Sequence, residues 1–411
     1  MSPVAEDSAS RPSRRTVRLQ HNPIVLRGAD PESELMPGSP AVGRLASHYS
    51  DYLVRIEGVE ADASEALLRA AGMVGGRGHF DERIAGVVVL ALTSGQIEAL
   101  RAQFLAAPAA QLRLVEEVAT AVRAFLRREF ELGCGDRVLH IGRRPLLMGV
   151  LNCTPDSFYE GSRTGGDDAV AQGVAMVAAG ADLLDIGGES TRPGSVAVDP
   201  AEETARVVPV IRRLSELVDV PLSIDTTKAA VAEAALDAGA TIVNDISGLS
   251  YDPRLADVAA ARDAAVILMH MRGSSEDMYD GADYVDVVGE VIGELRDAVE
   301  RALAAGVAHA RIVVDPGIGF AKRPEHSLMM LKHMAALRSL GLPVLVGPSR
   351  KSFIGAVLDL PAEQRLEGTG AAVAAAVMGG AHILRVHDVE PMRRTADTAA
   401  AIRDEGAGWM R

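Results

Sequence analysis

The sequence has few cysteines, few aromatic residues and no long apolar run. Its 411 residues include two cysteines, and the three aromatic residue types together make up 3%. Two cysteines, Cys134 and Cys153, form neither a disulfide framework nor a cysteine-based zinc site. The longest strongly apolar run, residues 84–92, is too short to span a bilayer as a helix. The first twenty residues also lack the apolar run of a signal peptide. We therefore expect a soluble cytoplasmic protein without a membrane partner.

Positive charge is also scarce. Lysine and arginine number 42 against 56 aspartates and glutamates, which gives a net charge of −14. Sequence-independent binding to nucleic acid needs a basic face that neutralises phosphates. The composition therefore argues against a nucleic-acid partner, although it leaves room for a local cationic pocket.

The chain divides into three segments by composition. Residues 1–45 are rich in Pro, Ser and Arg and show no apolar period, which predicts a mobile tail and a poorly ordered lead-in. Residues 46–140 carry short strand and helix patterns that predict a small α+β domain, to which we assign no role. Residues 145–411 form the third segment, and every candidate functional residue lies there.

Eight short apolar runs alternate with longer helical patterns in this third segment. Because the runs are nearly continuous, they indicate parallel strands that are buried on both faces. Eight strand–helix units in a segment of this length predict a (β/α)8 TIM barrel. A small-Gly-Ala sequence around Gly180, Gly239 and Gly380 repeats at three helix–strand junctions, which supports a repeating barrel. The predicted strands are residues 146–152, 182–188, 221–225, 241–246, 265–270, 311–315, 343–347 and 382–387.

Polar residues follow these runs, and the strands of a barrel end at one shared face. Asp225, Asn244 and Asp315 offer acceptors and an amide, with no nearby cation in the sequence to match them. Buried carboxylates need partners. A ligand rich in N–H donors, such as an aminopyrimidine ring, would supply them, and a buried capping network is the alternative.

A second group of polar residues is cationic. Arg192, Lys351, Arg385 and His387 follow strands 2, 7 and 8 of the predicted barrel, and Ser349 adds a hydroxyl. The loops after strands 7 and 8 of this fold often bind phosphate, so these residues favour a phosphate site. Ion pairs with nearby acids such as Asp388 or Glu390 are the alternative. No P-loop, dinucleotide fingerprint or zinc-protease motif is present.

Eight sequence blocks carry a family resemblance. In order they are MGVLNCTPDSFYEGS, DIGGESTRPGS, SIDTTK, VNDISG, LMHMRG, DPGIGFAK, GPSRKSFIG and RVHDV. Together they resemble the dihydropteroate synthases, pterin-binding TIM barrels, through essentially all of residues 146–400. The resemblance implies displacement of the diphosphate of 6-hydroxymethyl-7,8-dihydropterin by the amine of p-aminobenzoate, which gives 7,8-dihydropteroate for folate synthesis. It also implies Mg2+, a homodimer and sulfonamide sensitivity.

The resemblance further implies residue roles. The pterin residues would be Asp225, Asn244, Met269, Asp315 and Lys351. The diphosphate residues would be Asn152, Arg192, Arg385 and His387, with Asn152 also binding Mg2+. The p-aminobenzoate site would contain Thr191, Arg192, Pro193, Phe320, Lys351 and Ser352. The residues expected to matter most for catalysis are Arg192, Lys351, Arg385, His387 and Asp225.

The chain departs from the family pattern in its first loop, and other functions remain open. Cys153 stands where valine is usual, and Tyr159 and Glu160 replace a Ser-Asp pair. One alternative is a barrel that transfers a methyl group from methyltetrahydrofolate to a corrinoid protein, which has no use for a diphosphate clamp. Another is a synthase that uses a different arylamine or a modified pterin. A non-catalytic pterin-binding paralogue is the third.

Overall fold

The computed structural model of the chain describes residues 16–21, 52–80, 86–153, 165–190, 197–273 and 282–406. These residues fall into two compact units, divided between Arg123 and Ala124. None of the helices within the described ranges combines the length and the apolar character that a membrane crossing requires.

The first unit contains an antiparallel four-stranded sheet, with the strand order β1-β2-β4-β3. Its strands are β1 (Thr16–His21), β2 (Tyr52–Glu57), β3 (Arg77–Phe80) and β4 (Val88–Leu92), and its helices are α1 (Ala61–Met73), α2 (Ser94–Gln103) and α3 (Ala109–Leu126), which runs across the division. Residues 16–21 of the segment predicted as a tail form β1, which pairs with β2 along its whole length. A six-residue strand is too short to stand out in a Pro- and Ser-rich segment. The rest of residues 1–45 lies outside the described residues.

The second unit is a parallel barrel, as predicted. Within the described residues, eight strands form one parallel sheet in the order β12-β11-β10-β9-β8-β7-β14-β13, and a bridge between Val314 and Val344 joins its two edges. Each predicted run contains one of these strands. The strands are β7 (Leu146–Asn152), β8 (Leu183–Gly187), β9 (Leu222–Asp225), β10 (Ile242–Asp245), β11 (Ala265–Met269), β12 (Ile312–Asp315), β13 (Leu345–Val346) and β14 (Ile383–Val386).

Helices connect the strands and cover the outside of the barrel. At three helix–strand junctions the predicted glycines, Gly180, Gly239 and Gly380, have positive φ, which glycine tolerates without a steric cost. The helices are α4 (Gly165–Ala178), α5 (Pro200–Leu217), α6 (Ala229–Asp237), α7 (Arg254–Ala261), α8 (Val287–Ala304), α9 (Pro324–Lys332), α10 (Ser352–Leu358), α11 (Leu366–Met378) and α12 (Val389–Arg403).

A β-hairpin precedes the barrel in the chain and belongs to the second unit. Its strands are β5 (Phe130–Cys134) and β6 (Arg137–Ile141). Their inner side chains form one apolar cluster with residues of the barrel strands, such as Ile267 and Leu345. The sequence-based division at residues 140–145 assigned this hairpin to the N-terminal domain. The structure assigns it to the barrel unit because its apolar face is buried there.

Replacing Phe130 with alanine is expected to lower the free energy of unfolding by about 3–5 kcal/mol, as for other buried aromatic truncations. The Phe130 ring is 6% exposed, and it meets the His382 ring edge-on with centroids 5.1 Å apart. Chemical denaturation would measure the loss. Val138 in the same hairpin is 54% exposed, so Val138→Ala should stay within about 0.5 kcal/mol of the parent. Equal losses for the two variants would contradict a hairpin that is packed on one face.

Candidate active site at the barrel mouth

A cavity opens where the barrel strands end at their carboxyl side. Its empty space, counted together with the solvent in its open mouth, is about 330 Å³. Its lining combines carboxylates, an amide, two cations and apolar side chains. The lining residues are Asp225, Asn244, Ile246, Met269, Asp315, Gly317, Ile318, Phe320, Gly347, Lys351 and Arg385.

The cavity brings together seven of the residues predicted from the sequence. These are Asp225, Asn244, Met269, Asp315, Phe320, Lys351 and Arg385. Among the described residues, the predicted Asn152, Ser352 and His387 are not part of this lining. The predicted Thr191, Arg192 and Pro193, together with Tyr159 and Glu160, lie outside the described residues.

Strand register sets the order of the polar groups around the mouth. Asp225 and Asp315 are the last residues of β9 and β12. Asn244 of β10 lies beside Asp225 in the parallel register, and Met269 of β11 lies beside Asp315. Four consecutive strands therefore contribute an acid, an amide, an apolar thioether and a second acid to one wall.

Arg385 reaches from β14 to carboxylates on two other strands. Its Nη2 donates to Asp225 Oδ2 at 2.5 Å, and its Nε donates to Asp185 Oδ2 at 2.6 Å. A ligand was expected to supply the donors for Asp225. In the structure Arg385, 160 positions away in the chain, pairs with Asp225, which inspection of sequence neighbours does not reveal.

Burial shifts the pKa values of the two cavity acids upward. The pKa of Asp225 is raised by burial, and the charge of Arg385 counteracts that rise. Burial likewise raises the pKa of Asp315 to about 6, although the Gly317 amide donates to its Oδ1 at 2.7 Å. Both groups therefore titrate closer to neutral pH than ordinary carboxyls do.

Lys351 stands at the start of α10 with its amine over an aromatic ring. The Lys351 Nζ lies 3.8 Å from the centroid of the Phe320 ring, within cation–π distance. Burial, and then the charge of Arg385, lower the pKa of Lys351 to about 7. Among its described lining residues, the cavity therefore holds one permanent cation, Arg385, and one cation, Lys351, whose charge responds to its surroundings.

His387 does not carry the charge that the sequence suggested for it. Burial, and then the charges of Arg385 and Arg350, lower its pKa to about 4. Its Nδ1 lies 3.0 Å from Ser349 Oγ, and its backbone N–H donates to the same oxygen. The prediction of His387 as a cation is therefore wrong near pH 7. Its neutral ring offers a hydrogen bond.

The acids at the rim pair with other arginines. Asp388 binds Arg350 at 2.6 Å, and Glu390 binds Arg394 at 3.1 Å. Arg385 pairs with Asp185 and Asp225 instead, so the alternative explanation, pairing with Asp388 or Glu390, does not hold for Arg385.

A buried polar network behind Phe320 was not predicted. The fully buried Lys322 Nζ donates to the Phe320 carbonyl oxygen at 3.1 Å and lies 2.8 Å from His270 Nδ1. The other ring nitrogen of His270 lies 3.0 Å from Glu294. Burial, followed by the Lys322 charge, lowers the pKa of His270 to about 4, so its ring is neutral. The network fixes the backbone that carries Phe320, and the lysine in DPGIGFAK was the available sequence signal.

Comparison with known proteins agrees with this geometry. A family model described as pterin binding enzyme matches residues 148–387. The chain is 46% identical over 273 residues to the dihydropteroate synthase of Synechocystis sp.. The aligned region covers 66% of this chain and 94% of that relative. The barrel thus falls into the class of pterin-binding enzymes.

Solved structures narrow the class. The dihydropteroate synthase of Xanthomonas albilineans with 4-aminobenzoic acid is 42% identical with a TM-score of 0.63, covering 67% of this chain and 98% of that one. The Yersinia pestis enzyme in a sulfonamide drug complex is 41% identical with a TM-score of 0.64, covering 67% and 100%. This chain belongs to the dihydropteroate synthase family.

Proposed function

We propose that this chain condenses 6-hydroxymethyl-7,8-dihydropterin diphosphate with p-aminobenzoate to give 7,8-dihydropteroate and diphosphate. One observation carries the proposal: a single cavity combines Asp225, Asn244 and Asp315 with the cations Lys351 and Arg385. The enzyme is a transferase of folate biosynthesis. The Xanthomonas albilineans relative is described with 4-aminobenzoic acid, which supports the same arylamine here.

The acid and amide wall suits the pterin ring. The donors of an aminopyrimidine face acceptors well, and Asp225 and Asp315 supply carboxylates. The Asn244 amide nitrogen already donates to Asp185, which leaves its carbonyl oxygen for a ring donor. Met269 and Phe320 belong to one apolar cluster at the mouth, which provides walls for a flat ring.

Binding of free 6-hydroxymethylpterin is expected to weaken as the pH falls. A protonated carboxyl accepts ring N–H groups poorly, and the pKa values of Asp225 and Asp315 are raised toward neutrality. Affinity should drop by up to about tenfold per pH unit once one carboxyl protonates. Calorimetry between about pH 8 and pH 5 would test this. In Asp315→Asn, the part of the fall in affinity that occurs near pH 6 should disappear. An unchanged affinity across that range would contradict ligand binding by these acids.

Arg385 is the proposed hydrogen-bond donor to the diphosphate leaving group. Its guanidinium has five N–H donors, of which two contact Asp185 and Asp225, so others remain for phosphate oxygens. We assign Arg192 and the neutral His387 to the same anion. Preorganised donors stabilise the negative charge that grows on the diphosphate as the C–O bond breaks.

The arylamine enters on the side of Phe320 and Lys351. The Phe320 ring offers an apolar face for the benzene ring, and the Lys351 amine beside it can bind a carboxylate. Ser352, at the start of α10, and the segment Thr191–Pro193 complete this proposed subsite.

The reaction needs no strong base because an aniline nitrogen is already neutral near pH 7. Its lone pair forms the new C–N bond, the C–O electrons leave with diphosphate, and the nitrogen then loses one proton. The nearby carboxylates favour a methylene carbon that becomes cation-like, so we propose that the C–O bond breaks ahead of amine attack. Release of diphosphate from the pterin substrate without p-aminobenzoate would support that order, and its complete absence would contradict it.

Mg2+ is the proposed cofactor. Within the described residues, no three His, Cys, Asp or Glu side chains gather into a metal-binding group. We propose that diphosphate oxygens and water supply most of the ligands, as is common for Mg2+. The Asn152 amide oxygen would be the protein ligand. When bound, Mg2+ would offset charge on the diphosphate. A homodimer and a cytoplasmic location stay predictions.

A turnover assay tests the proposed function. Purified chain with pterin diphosphate, Mg2+ and p-aminobenzoate should release diphosphate and form dihydropteroate, and omission of the pterin should stop both. Pterin binding without turnover would instead indicate a non-catalytic paralogue. Methyl transfer from methyltetrahydrofolate to a corrinoid protein would indicate the methyltransferase, and turnover with another arylamine alone would indicate a variant synthase.

A further inference from the structure

A carboxylate lies in the middle of a buried barrel strand. Asp185 is the central residue of β8, whose five residues are all buried, and its own exposure is 0%. A buried carboxylate is costly unless it is paired and hydrogen-bonded. A residue retained there at such a cost calls for an explanation in terms of what it touches.

Asp185 contacts one group from each half of the proposed substrate site. Its Oδ2 accepts from Arg385 Nε at 2.6 Å and from Asn244 Nδ2 at 2.9 Å. Its Oδ1 has no hydrogen-bond partner among the described residues. A single oxygen atom thus accepts hydrogen bonds from Arg385, assigned to the diphosphate, and from Asn244, assigned to the pterin. The positions of these two side chains are therefore coupled through Asp185.

The two carboxylates that bind Arg385 differ in what a ligand can reach. Asp225 lines the cavity, and Asp185 is not among its lining residues. A pterin that donates to Asp225 Oδ2 competes with Arg385 Nη2 for that oxygen. The same pterin leaves the bond between Asp185 and Arg385 Nε in place. The guanidinium can then turn about a fixed Nε and present its Nη groups to the diphosphate.

We propose that Asp185 is a positioning residue that anchors Arg385 and Asn244, so that Arg385 exchanges Asp225 for the diphosphate when the pterin binds. The inference rests on the proposed function. It assigns to Asp185 a role that acts through its two neighbours and not through direct contact with substrate. A carboxylate that served only the fold would not govern affinity for the anion.

Asp185→Asn is the direct test, because asparagine keeps the shape and removes the charge. We expect kcat to fall on the order of 10- to 100-fold, as for other supporting groups behind a site. Binding of inorganic diphosphate, measured by calorimetry, should weaken about tenfold, while the KM for p-aminobenzoate stays within about twofold. Unchanged kcat and unchanged diphosphate affinity would overturn the proposal.

The pH profile supplies a readout that loss of stability alone would not move. The charged groups that face Asp225 are Arg385 of β14, Asp185 of β8, Glu203 of α5 and Lys351 before α10, and the charge of Asp185 raises the pKa of Asp225. In Asp185→Asn, the midpoint for binding of free 6-hydroxymethylpterin should therefore move to lower pH. A midpoint that stays in place would count against the proposal.

Asp245→Asn is a matched control on the neighbouring strand β10. Asp245 is also buried, at 1% exposure, and its carboxylate is bound by Ser247 and by the Leu249 amide. This variant should lower the melting temperature without shifting the pterin midpoint or the diphosphate affinity. Shifts as large as those of Asp185→Asn would assign the effect to general disturbance and overturn the proposal.

A measurement on the unaltered chain keeps the proposal testable if Asp185→Asn does not fold. In a spectrum that resolves arginine Nε–H groups, the Arg385 signal, identified by its absence in Arg385→Lys, should stay protected from solvent exchange when 6-hydroxymethylpterin and inorganic diphosphate bind. Loss of that protection would overturn the anchor. The turnover assay of the unaltered chain is run in parallel, so absence of turnover there would refute the proposed function separately.

Discussion

Arg385→Met is expected to lower the rate of diphosphate release by about 10²- to 10³-fold, the usual cost of removing one preorganised donor from a developing anion. The guanidinium is the one permanent cation in the described lining of the cavity, and it points into the site from β14. Release of diphosphate, followed with both substrates and Mg2+ present, measures the effect. A rate within about threefold of the unaltered chain would reject the role assigned to Arg385.

The same variant should also be less stable and bind pterin less well. Removal of Arg385 leaves the buried Asp185 and Asp225 without the cation that both contact, and breaking buried pairs in this way costs about 3–5 kcal/mol. Pterin binding is affected because the charge of Arg385 lowers the pKa of Asp225. Without it, pterin affinity should fall at neutral pH and recover at higher pH.

Two further variants separate charge from shape. Arg385→Lys keeps a positive charge but loses the planar fork, so it should recover stability more fully than activity. Arg394→Met is the control, since its exposed pair with Glu390 on α12 should contribute less than about 1 kcal/mol. A loss of activity in Arg394→Met as large as that in Arg385→Met would argue against a specific role for the barrel-mouth guanidinium.

Asp225→Asn is expected to weaken pterin binding by about 100-fold. A buried carboxylate that accepts ring N–H groups contributes roughly 2–3 kcal/mol, and the amide that replaces it presents a donor to those donors. Calorimetry with 6-hydroxymethylpterin and the KM for pterin diphosphate both measure the loss. An affinity within about threefold of the unaltered chain would exclude Asp225 from the pterin site.

The same substitution breaks the buried pair with Arg385, and its effect on the stability of the fold should depend on pH. Burial raises the pKa of Asp225, so the folded state binds its proton more tightly than the unfolded state does. The stability that this carboxyl contributes is therefore lost as the pH rises through the window between its ordinary and its raised pKa. Asparagine avoids that loss, so the melting temperature of Asp225→Asn relative to that of the unaltered chain should increase as the pH rises. A relative melting temperature that decreases as the pH rises would contradict the raised pKa.

Asp252→Asn should change stability with the opposite dependence on pH, and it serves as the control. The pKa of Asp252 is lowered, chiefly by its hydrogen bond with Arg254. Its contribution to stability is therefore present above its ordinary pKa and lost below it. Asp252→Asn should lower the melting temperature at neutral pH and leave pterin binding unchanged.

Apolar runs and the residues that follow them predicted most of the barrel. The eight strands were recognisable because strands that are buried on both faces need continuous apolar sequence. The residues that end them, such as Asp225 and Asp315, were recognisable because parallel strands finish at one face. The local sequence pattern was therefore sufficient to predict both the strands and the polar residues at their ends.

Features that depend on long-range contacts were missed. Asp185 lies inside a strand and not at its end, so a search of strand ends passed over it. Its partner Arg385 lies 200 positions away in the chain. The neutral state of His387 depends on burial and on the charges of Arg385, Arg350 and Lys351. The hairpin β5–β6 has no pattern of its own that distinguishes a barrel component from a strand pair of the preceding domain.

The hairpin also sets a condition on biosynthesis. Its apolar cluster includes Leu345 and Ile383, which belong to the last two barrel strands, and β14 pairs with β7, the first barrel strand. During translation, β5–β6 therefore leaves the ribosome long before the residues that cover it exist. Contacts so distant along the chain slow folding and prolong the exposure of apolar surface. A nascent chain that stops short of β14 would keep this surface open, which makes late truncations a target for chaperones and proteases.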